Sequence, residues 1–238
     1  MRLWLCLATV VLAVSGPANA AQLSVSPVLV DLEAPVQASV LNLSNDGDTP
    51  ITVQTRIFHW VQSAGTEELL DTQNVVVSPP IVTLAPRQTY TVRLVRVSKE
   101  AIAGEESYRV LVDELPDLSR PQANGVSVLV RQSIPVFLRA PGAGSAAVDW
   151  AIQDRDGQLY LVADNRGNTR LRLANVSLYD PDGTVLSLGE GLIGYVLARS
   201  SMRWPIGQKA GEFGVFGGVT LRAQTQSGTI DASVSAPD

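Results

Sequence analysis

The sequence predicts an all-β protein built from two β-sandwich domains. Short runs of alternating polar and apolar residues recur along the chain, separated by Gly, Pro, Asn and Asp. No segment shows a sustained helical period, and 99–104 has room for a single helical turn at most. A stretch of small residues at 140–145 interrupts the strand pattern and predicts a linker between the two domains.

Residues 1–20 have the pattern of a secretory signal peptide. Met1-Arg2 gives a positive start, and Leu3–Val14 is an apolar run too short to span a membrane. Ala18-Asn19-Ala20 is a small-residue cleavage site, so we expect the mature protein to begin at Ala21. No later segment approaches about 18 consecutive apolar residues, and we therefore expect a soluble, exported protein.

The predicted N-terminal domain spans 21–139. Its clearest alternating runs are Val36–Leu43, Ile51–Trp60, Thr89–Val97 and 108–112. Its last strand is predicted within Asn124–Arg139, where Val126, Val128 and Val130 share one face at a period of two. A row of β-branched side chains needs a covering surface. The residues alone leave open whether that surface is the domain's own core or a partner.

The predicted C-terminal domain spans 146–238. A second set of short alternating runs follows the linker, at Asp149–Asp154, Leu159–Ala163, Leu171–Tyr179, Thr184–Leu188, Glu212–Arg222 and Thr229–Val234. Asp180-Pro181-Asp182-Gly183 has the residue types of a tight turn and predicts a hairpin. The sequence therefore predicts a second sandwich after the linker.

Composition argues against several classes of function. The only cysteine, Cys6, lies in the leader, so the mature domains must fold without disulfides; the bacterial periplasm suits such an exported chain. The formal net charge is −5, and −6 once Arg2 leaves with the leader, which disfavours nucleic-acid binding. A single histidine, His59, lacks the companions that a zinc or copper site or a catalytic triad requires. We expect no enzymatic activity, no metal and no cofactor.

Several segments, taken in order, resemble the PapD-like periplasmic chaperones of pilus assembly, which belong to the chaperone–usher pathway. The resemblance is carried by NVVVSPPIVTLAP at 74–86, TVRL at 91–94, ESYR at 106–109, ELP at 114–116, the strand 126–139 with FLRAP at 137–141, Asn165 and Asn168-Thr169 within 159–170, and VLARSS at 196–201. These segments span nearly the whole mature chain. Tyr108-Arg109 and QSIP at 132–135 look most like the archaic, Csu-type branch.

The resemblance implies two immunoglobulin-like domains in an L-shaped arrangement with a cleft between them. It implies a periplasmic chaperone that folds and caps pilus subunits by donor-strand complementation and delivers them to an outer-membrane usher. The implied partners are pilus subunits and the usher. The sequence leaves open whether the free chaperone also caps itself as a dimer. On this interpretation Val126, Val128 and Val130 insert into the subunit, and the alternative is that they pack in the chaperone's own core.

The family anchors the terminal carboxylate of its subunit with two basic residues in the cleft, and this chain departs from both. Residues 21–55 contain no Lys or Arg, and Pro135 stands where the lysine of the donor strand is expected. Arg109 and Arg131, on strands that border the expected cleft, are the candidate replacements. A guanidinium suits this role because it binds a carboxylate through two parallel hydrogen bonds.

The family also has a buried ion-pair network between its domains. Arg139 matches the arginine of that network, and Glu105 or Glu106 matches its acidic partner. The expected aspartate of the second domain falls near 226–228, where the sequence has no acid. We therefore expect an altered network in which Arg139 is structural.

A structural pilus subunit or adhesin with immunoglobulin-like domains is the alternative function. A subunit is expected to carry a free N-terminal donor extension and one incomplete domain, whereas here few residues precede the first predicted strand and two domains follow. An enzyme on a β-sandwich is a third hypothesis, which the shortage of His and Cys disfavours.

Overall fold

The computed structural model describes residues 22–117, 129–206 and 218–236. Over these ranges the chain consists of β-strands, turns and loops without a helix, and 99–104 forms a loop. The described residues accordingly contain no helix that could cross a membrane. The predicted all-β class is confirmed.

The strands of the N-terminal half, 22–139, form two sheets. In chain order they are β1 (Leu23–Ser26), β2 (Val30–Glu33), β3 (Ala38–Asn45), β4 (Ile51–Ser63), β5 (Thr66–Asp71), β6 (Val75–Ser78), β7 (Ile81–Leu84), β8 (Thr89–Arg96), β9 (Glu105–Leu115) and β10 (Arg131–Arg139). One sheet has the order β1-β3-β8-β6, and the other has the order β2-β10-β9-β4-β5, with β7 also paired to β4.

Alternating side chains from these two sheets enclose one apolar core. On β8, Val92 and Leu94 are buried while Arg93 between them is exposed. On β10, Ile134 and Val136 face the same core from the other sheet. The period of two that predicts the strands in the sequence is therefore the pattern of burial in the sandwich.

The first segment of the chain contributes to both sheets. β1 pairs antiparallel with β3, whereas β2 pairs parallel with the end of β10, from Val136↔Val30 to Arg139↔Glu33. Pro27 lies between β1 and β2. Because proline has no N–H to donate, the first ladder stops there and the chain crosses to the second sheet.

The strands of the C-terminal half form two further sheets, ordered β11-β12-β15 and β14-β13-β16-β17. The strands are β11 (Val148–Arg155), β12 (Gln158–Asn165), β13 (Leu171–Tyr179), β14 (Val185–Val196), β15 (Ser200–Pro205), β16 (Val219–Thr225) and β17 (Gly228–Val234). They enclose a second core that includes Trp150, Leu161 and Leu221.

The C-terminal strands agree with the sequence pattern in most places. β13 has the predicted bounds, while β14 continues to Val196, well beyond the predicted end at Leu188. The predicted strand 212–222 lies partly outside the described residues, and β16 begins at Val219. The predicted turn at 180–183 forms, and the Asp180 carboxylate accepts the N–H of Thr184 at 2.7 Å. The precise domain boundaries stay a prediction.

Candidate strand-docking edge and carboxylate site

One side of β10 is open over the first part of the strand. On its other side β10 pairs with β9 along its whole length, from Arg131↔Asp113 to Arg139↔Glu105. On the open side, β2 covers only Val136–Arg139. Among the described strands, none covers Arg131–Pro135 here. A strand edge of this kind offers its main-chain groups to a strand from another chain.

The hydrogen-bond register determines which main-chain groups face the open edge. The Glu114 N–H donates to the Val130 carbonyl at 3.0 Å, so Val130 and residues an even number of positions from it direct their main-chain groups at β9. Arg131 and Ser133 consequently direct theirs at the open edge. Pro135 has the same outward phase, so its missing N–H removes no hydrogen bond to β9.

Most of the predicted valine row lies outside the described residues, since Val126 and Val128 belong to a segment that the structure does not describe. Val130 is described, and it is half-buried immediately before β10. Its side chain has the phase of Ile134 and Val136, which face the core of the N-terminal half. This phase is compatible with a partner's groove and with an extension of the core, so the donor role of the three valines stays a prediction.

Arg131, one of the two candidate anchors, already has a carboxylate partner. Its guanidinium hydrogen-bonds Asp113, and Arg56 binds the other oxygen of the same carboxylate at 2.7 Å. Burial acts to raise the pKa of Asp113, but the hydrogen bonds from Arg131 and Arg56 outweigh this effect and lower it. Arg131 is therefore less available to a carboxylate from a partner.

Arg109, the other candidate anchor, lies on β9 directly opposite Pro135. Pro135 stands at the position where the resemblance predicts a lysine, so Arg109 places a positive charge on the strand directly beside that position. Its Nη1 donates to the Ser133 hydroxyl at 3.5 Å, a long hydrogen bond. Arg109 thus lies near both the expected anchor position and the open edge of β10.

The guanidinium of Arg109 rests against an aromatic ring. Its Cζ lies 3.7 Å from the centre of the Trp60 ring, a cation–π contact. Burial lowers the pKa of Arg109, while Glu67 and Tyr195 act in the opposite direction. Within the described part of the chain Arg109 forms no ion pair with a carboxylate. A partly desolvated guanidinium in this state can bind an incoming carboxylate strongly.

An aromatic cluster beside Arg109 joins the two halves of the molecule. Trp60 and Phe137 of the N-terminal half are buried together with Tyr195 and Leu197 of the C-terminal half. The three ring centroids are 5.4–5.9 Å apart, and Tyr195 meets Trp60 edge-on. The side-chain amide of Gln62 donates to the Tyr195 carbonyl at 2.8 Å and accepts from the Leu197 N–H at 2.9 Å.

A second ion cluster contacts another ring of the same aromatic cluster, Phe137. Arg170 of the C-terminal half binds the Glu105 carboxylate, donates to Asp31 at 2.6 Å, and stacks its Cζ 3.6 Å from the centre of the Phe137 ring. The side chain of Glu105 is 0% exposed. Burial raises the pKa of Glu105, and the charge of Arg170 opposes this shift. The cluster therefore pairs charges from both halves, with Glu105 buried and Asp31 partly exposed.

Arg139 contributes to this cluster from within the N-terminal half. Its Nε donates to Asp31 at 3.1 Å, and its Nη2 lies 3.7 Å from Glu33. Because Asp31 also binds Arg170, this shared carboxylate links Arg139 to the C-terminal half. Its predicted structural role is compatible with this position.

The two acidic candidates for the network lie on opposite faces of β9. Glu105 faces the C-terminal half and binds Arg170. Glu106 faces the other way, where both of its oxygens bind Arg96 and one also accepts from the Tyr108 hydroxyl at 3.0 Å. Its place in an interdomain network therefore has to be corrected: within the described residues, Glu106 bonds only inside the N-terminal half.

Sequence reasoning missed Arg170, which carries the ionic contact between the halves. At the place where an aspartate was expected, the structure has Gln226, whose amide donates to the Arg170 carbonyl at 2.9 Å. The C-terminal half therefore contributes the cation, and Glu105 and Asp31 of the N-terminal half contribute the acids. The available signal was an arginine directly after Asn168-Thr169 together with the missing acid at 226–228.

The remaining titratable candidate, His59, packs its ring 5.5 Å from that of Tyr108. It also lines a cavity of about 120 Å³ together with Trp60, Glu105 and Leu197. In the described ranges, no group of three or more His, Cys, Asp or Glu side chains could hold a metal ion.

The sequence profile of pili and flagellar-assembly chaperones, PapD N-terminal domain, matches residues 22–143. The chain belongs to this family. The match includes β1 to β10, and hence the open edge, Trp60 and Arg109. The predicted chaperone function in pilus assembly is confirmed with the family, and the alternative of a structural subunit or adhesin is set aside. No curated protein sequence matches the chain significantly.

Solved structures of chaperone–usher systems share the fold. A chain of the CsuC–CsuE chaperone–tip adhesion subunit pre-assembly complex from archaic Csu pili of Acinetobacter baumannii has 22% identity and a TM-score of 0.72, covering 92% of this chain and 100% of its own. A chain of the complex of the Salmonella enterica SafA pilin with the SafB chaperone has 17% identity and a TM-score of 0.62, covering 91% of this chain and 98% of its own. For the Pseudomonas aeruginosa CupB2 chaperone the corresponding values are 20%, 0.57, 90% and 100%. With the four sheets, these likenesses confirm the predicted two-domain, immunoglobulin-like fold.

Proposed function

We propose that this protein is a periplasmic, non-enzymatic chaperone of the archaic, Csu-type branch, which caps pilus subunits by donor-strand complementation and passes them to an outer-membrane usher. In this proposal 1–20 is the signal peptide, and the domains 21–139 and 146–238 flank the linker 140–145. The observation that carries it is the open edge at Arg131–Pro135 in a chain of the pilus-chaperone family. The relatives crystallised with a tip adhesion subunit and with a pilin support it.

The open edge limits where a subunit strand can dock. β2 occupies the same side of β10 from Val136 onward, so an added strand meets β2 end to end near Pro135. A strand parallel to β10, the direction that β2 already has, would end there with its C-terminus. Because Arg109 is the cross-strand neighbour of Pro135, this direction brings a terminal carboxylate towards its guanidinium.

We infer that Arg109 is the main anchor of that carboxylate. Arg109 forms no ion pair in the described structure and is partly desolvated on Trp60, whereas Arg131 is bound to Asp113. A carboxylate that reaches Arg109 gains a charge-assisted, bidentate partner in a site where water screens the interaction only weakly. Arg131 then contributes as a second cation at the rim, through the positive charge that it keeps near the edge.

Donor-strand capture is tested by co-expressing the chaperone with a tagged pilus subunit. Ser133→Pro removes an N–H that faces the open edge without removing one that faces β9, and it is expected to abolish most of the recovered complex. Ser133→Ala is the matched control, because it keeps the N–H and should retain capture. Val128→Asp should also lose the subunit, since it puts a charge into an apolar groove. Undiminished recovery with Ser133→Pro and Val128→Asp would contradict the proposal.

The anchor is tested with a short alternating valine–threonine peptide that has either a free C-terminal carboxylate or a C-terminal amide. The wild-type protein is expected to bind the acid about tenfold more tightly than the amide, as one charge-assisted interaction predicts. Arg109→Ala should bind both peptides equally. An acid preference that survives Arg109→Ala but disappears in Arg131→Ala would move the anchor to Arg131.

A further inference from the structure

We propose that Tyr195 of the C-terminal half is a positioning residue for the carboxylate site, acting through the Trp60 ring on which Arg109 rests. The inference depends on the proposed anchoring role of Arg109. It makes the C-terminal half part of the site although the guanidinium and the docking edge both belong to the N-terminal half.

The Arg109 guanidinium contacts the Trp60 ring directly. The Arg109 Cζ lies 3.7 Å from the centre of the Trp60 ring, so the two planar groups are in van der Waals contact. A stacked guanidinium keeps its N–H groups in the plane of the fork, where a carboxylate can accept two of them. The orientation of the Trp60 ring therefore determines the direction in which Arg109 presents its donors.

The orientation of the Trp60 ring is in turn fixed by neighbouring rings. Trp60 is 1% exposed, yet its indole N–H has no hydrogen-bond partner in the described structure, so no polar bond fixes its angle. Ring contacts do this instead: Phe137 lies 5.9 Å away in a tilted arrangement, and Tyr195 lies 5.5 Å away and nearly perpendicular, at 85°. Edge-to-face contact is a preferred geometry of aromatic pairs because the positive edge of one ring meets the negative face of the other.

Hydrogen bonds from Gln62 hold Tyr195 against Trp60. Gln62 lies two residues after Trp60 on β4, on the same face. Its buried amide bonds to the main chain at Tyr195 and Leu197, and it also donates to the Glu67 carboxylate at 3.3 Å. β4 therefore carries both the Trp60 indole and the Gln62 amide, which fixes the position of Tyr195 and Leu197 relative to that strand. A shift of the C-terminal half would move the Tyr195 ring and release the Trp60 platform together.

Two other contacts limit such a shift. Arg170 binds Glu105 across the boundary, and Gly65, at the tip of the β4–β5 hairpin, forms a parallel bridge with Met202 of β15. Gly65 has a φ of +78°, and an added Cβ would lie 2.7 Å from the Arg203 side chain, so this approach suits glycine. The boundary is thus held by contacts besides those of Tyr195, which limits how far its ring can move.

The experiment uses the full-length mature protein and the same valine–threonine peptides, as acid and amide. Tyr195→Leu removes the ring and is expected to reduce the acid preference from about tenfold to near unity while leaving the affinity for the amide unchanged. Tyr179→Leu is the matched control: Tyr179 also has an arginine, Arg222, 5.5 Å above its ring, but it lies away from the boundary. The control should keep the full acid preference.

Two additional variants keep the inference falsifiable if Tyr195→Leu folds poorly. Tyr195→Phe retains the ring and is expected to retain the acid preference. Gln62→Met removes the two hydrogen bonds to the main chain while leaving every ring in place, and it should lower the preference partially. In an Arg109→Ala background, Tyr195→Leu should have no further effect on binding of the acid.

The outcomes separate this inference from the proposed function. If wild-type protein shows no acid preference, or Arg109→Ala retains it, the anchoring role of Arg109 is wrong. If the preference depends on Arg109 but Tyr195→Leu weakens acid and amide equally, Tyr195 only supports the structure and the positioning role is overturned. Loss of the preference in Tyr195→Phe or in Tyr179→Leu would also overturn it.

Discussion

Arg109 and Arg170 are placed alike against the same aromatic cluster and differ in their partners. Each stacks its guanidinium on one ring, Arg109 at 3.7 Å from Trp60 and Arg170 at 3.6 Å from Phe137. Arg170 also binds two carboxylates, whereas Arg109 has none within the described residues. Stacking alone therefore does not identify a binding arginine. The number of carboxylates already bound separates a residue that holds the molecule together from one that can hold a partner.

The difference also follows from which acids are buried. Glu105 has no contact with solvent and would be an uncompensated charge without Arg170. Glu67, the acid whose charge acts on Arg109, lies on the exposed face of β5 and forms no ion pair with it. Water and a hydrogen bond from the Gln62 amide at 3.3 Å stabilise this acid, and the Arg109 guanidinium is left with donors to offer.

Arg170→Ala is expected to have the largest effect on stability. The substitution leaves the buried Glu105 carboxylate unpaired and should lower the free energy of unfolding by about 3–5 kcal/mol in urea titrations. Arg222→Ala is the control, because the Arg222–Asp231 pair is exposed and screened by water, so its loss should change the free energy of unfolding little. Equal losses in the two variants would show that the buried cluster is not the main bond between the halves.

Arg109→Ala is expected to have a smaller effect on the free protein. It removes a stacking contact but leaves no buried carboxylate unpaired, so the free energy of unfolding should fall by about 1–2 kcal/mol. The same urea titration measures it, with Arg170→Ala as the comparison. A loss as large as that of Arg170→Ala would mean that Arg109 is structural too, and the distinction between the two arginines would fail.

The smallest expected effect concerns the Asp113 carboxylate and its partner Arg131. Arg131 is exposed, unlike Arg170, and it is paired with a carboxylate, unlike Arg109. The pKa of Asp113 is below its ordinary value of 3.8 because Arg131 and Arg56 bind its carboxylate against the effect of burial. The stability from this pair is fully present above pH 3.8 and is lost as the pH falls through the lower folded value. Asp113→Asn should flatten this part of the unfolding profile in acid, and an unchanged acid slope would contradict it.

Much of the fold could be predicted because it depends on local periodicity. The alternation of β13 and the turn after it gave correct bounds, since each side chain there faces either core or solvent. β14 was underestimated because its later half contains Gly189, Gly191 and Gly194, which look like turn residues in a sequence. In the structure, register shifts in its pairing with β13 absorb these glycines.

The site could be predicted only where it follows from one strand. The open edge lies on the strand predicted within 124–139, and Arg109 was proposed from its place on a strand that borders the expected cleft. Arg170 could not be found in that way, because its role requires Glu105, 65 residues earlier, and the neighbouring Asp31 to meet it across the boundary. Glu105 and Glu106 were indistinguishable in sequence, since a shift of one residue in a strand exchanges its two faces.

The small contribution of each main-chain hydrogen bond at the open edge bears on how long a captured strand stays bound. In the described part of β10, Arg131 and Ser133 are the residues whose outward main-chain groups no other strand uses, and each hydrogen bond contributes about 0.5–1.5 kcal/mol net. A competing strand can displace a ladder of such bonds one residue at a time, so differences in affinity between captured strands are expected mainly in the dissociation rate. We expect the edge to hold a partner firmly against dilution while letting a better-matched strand replace it stepwise.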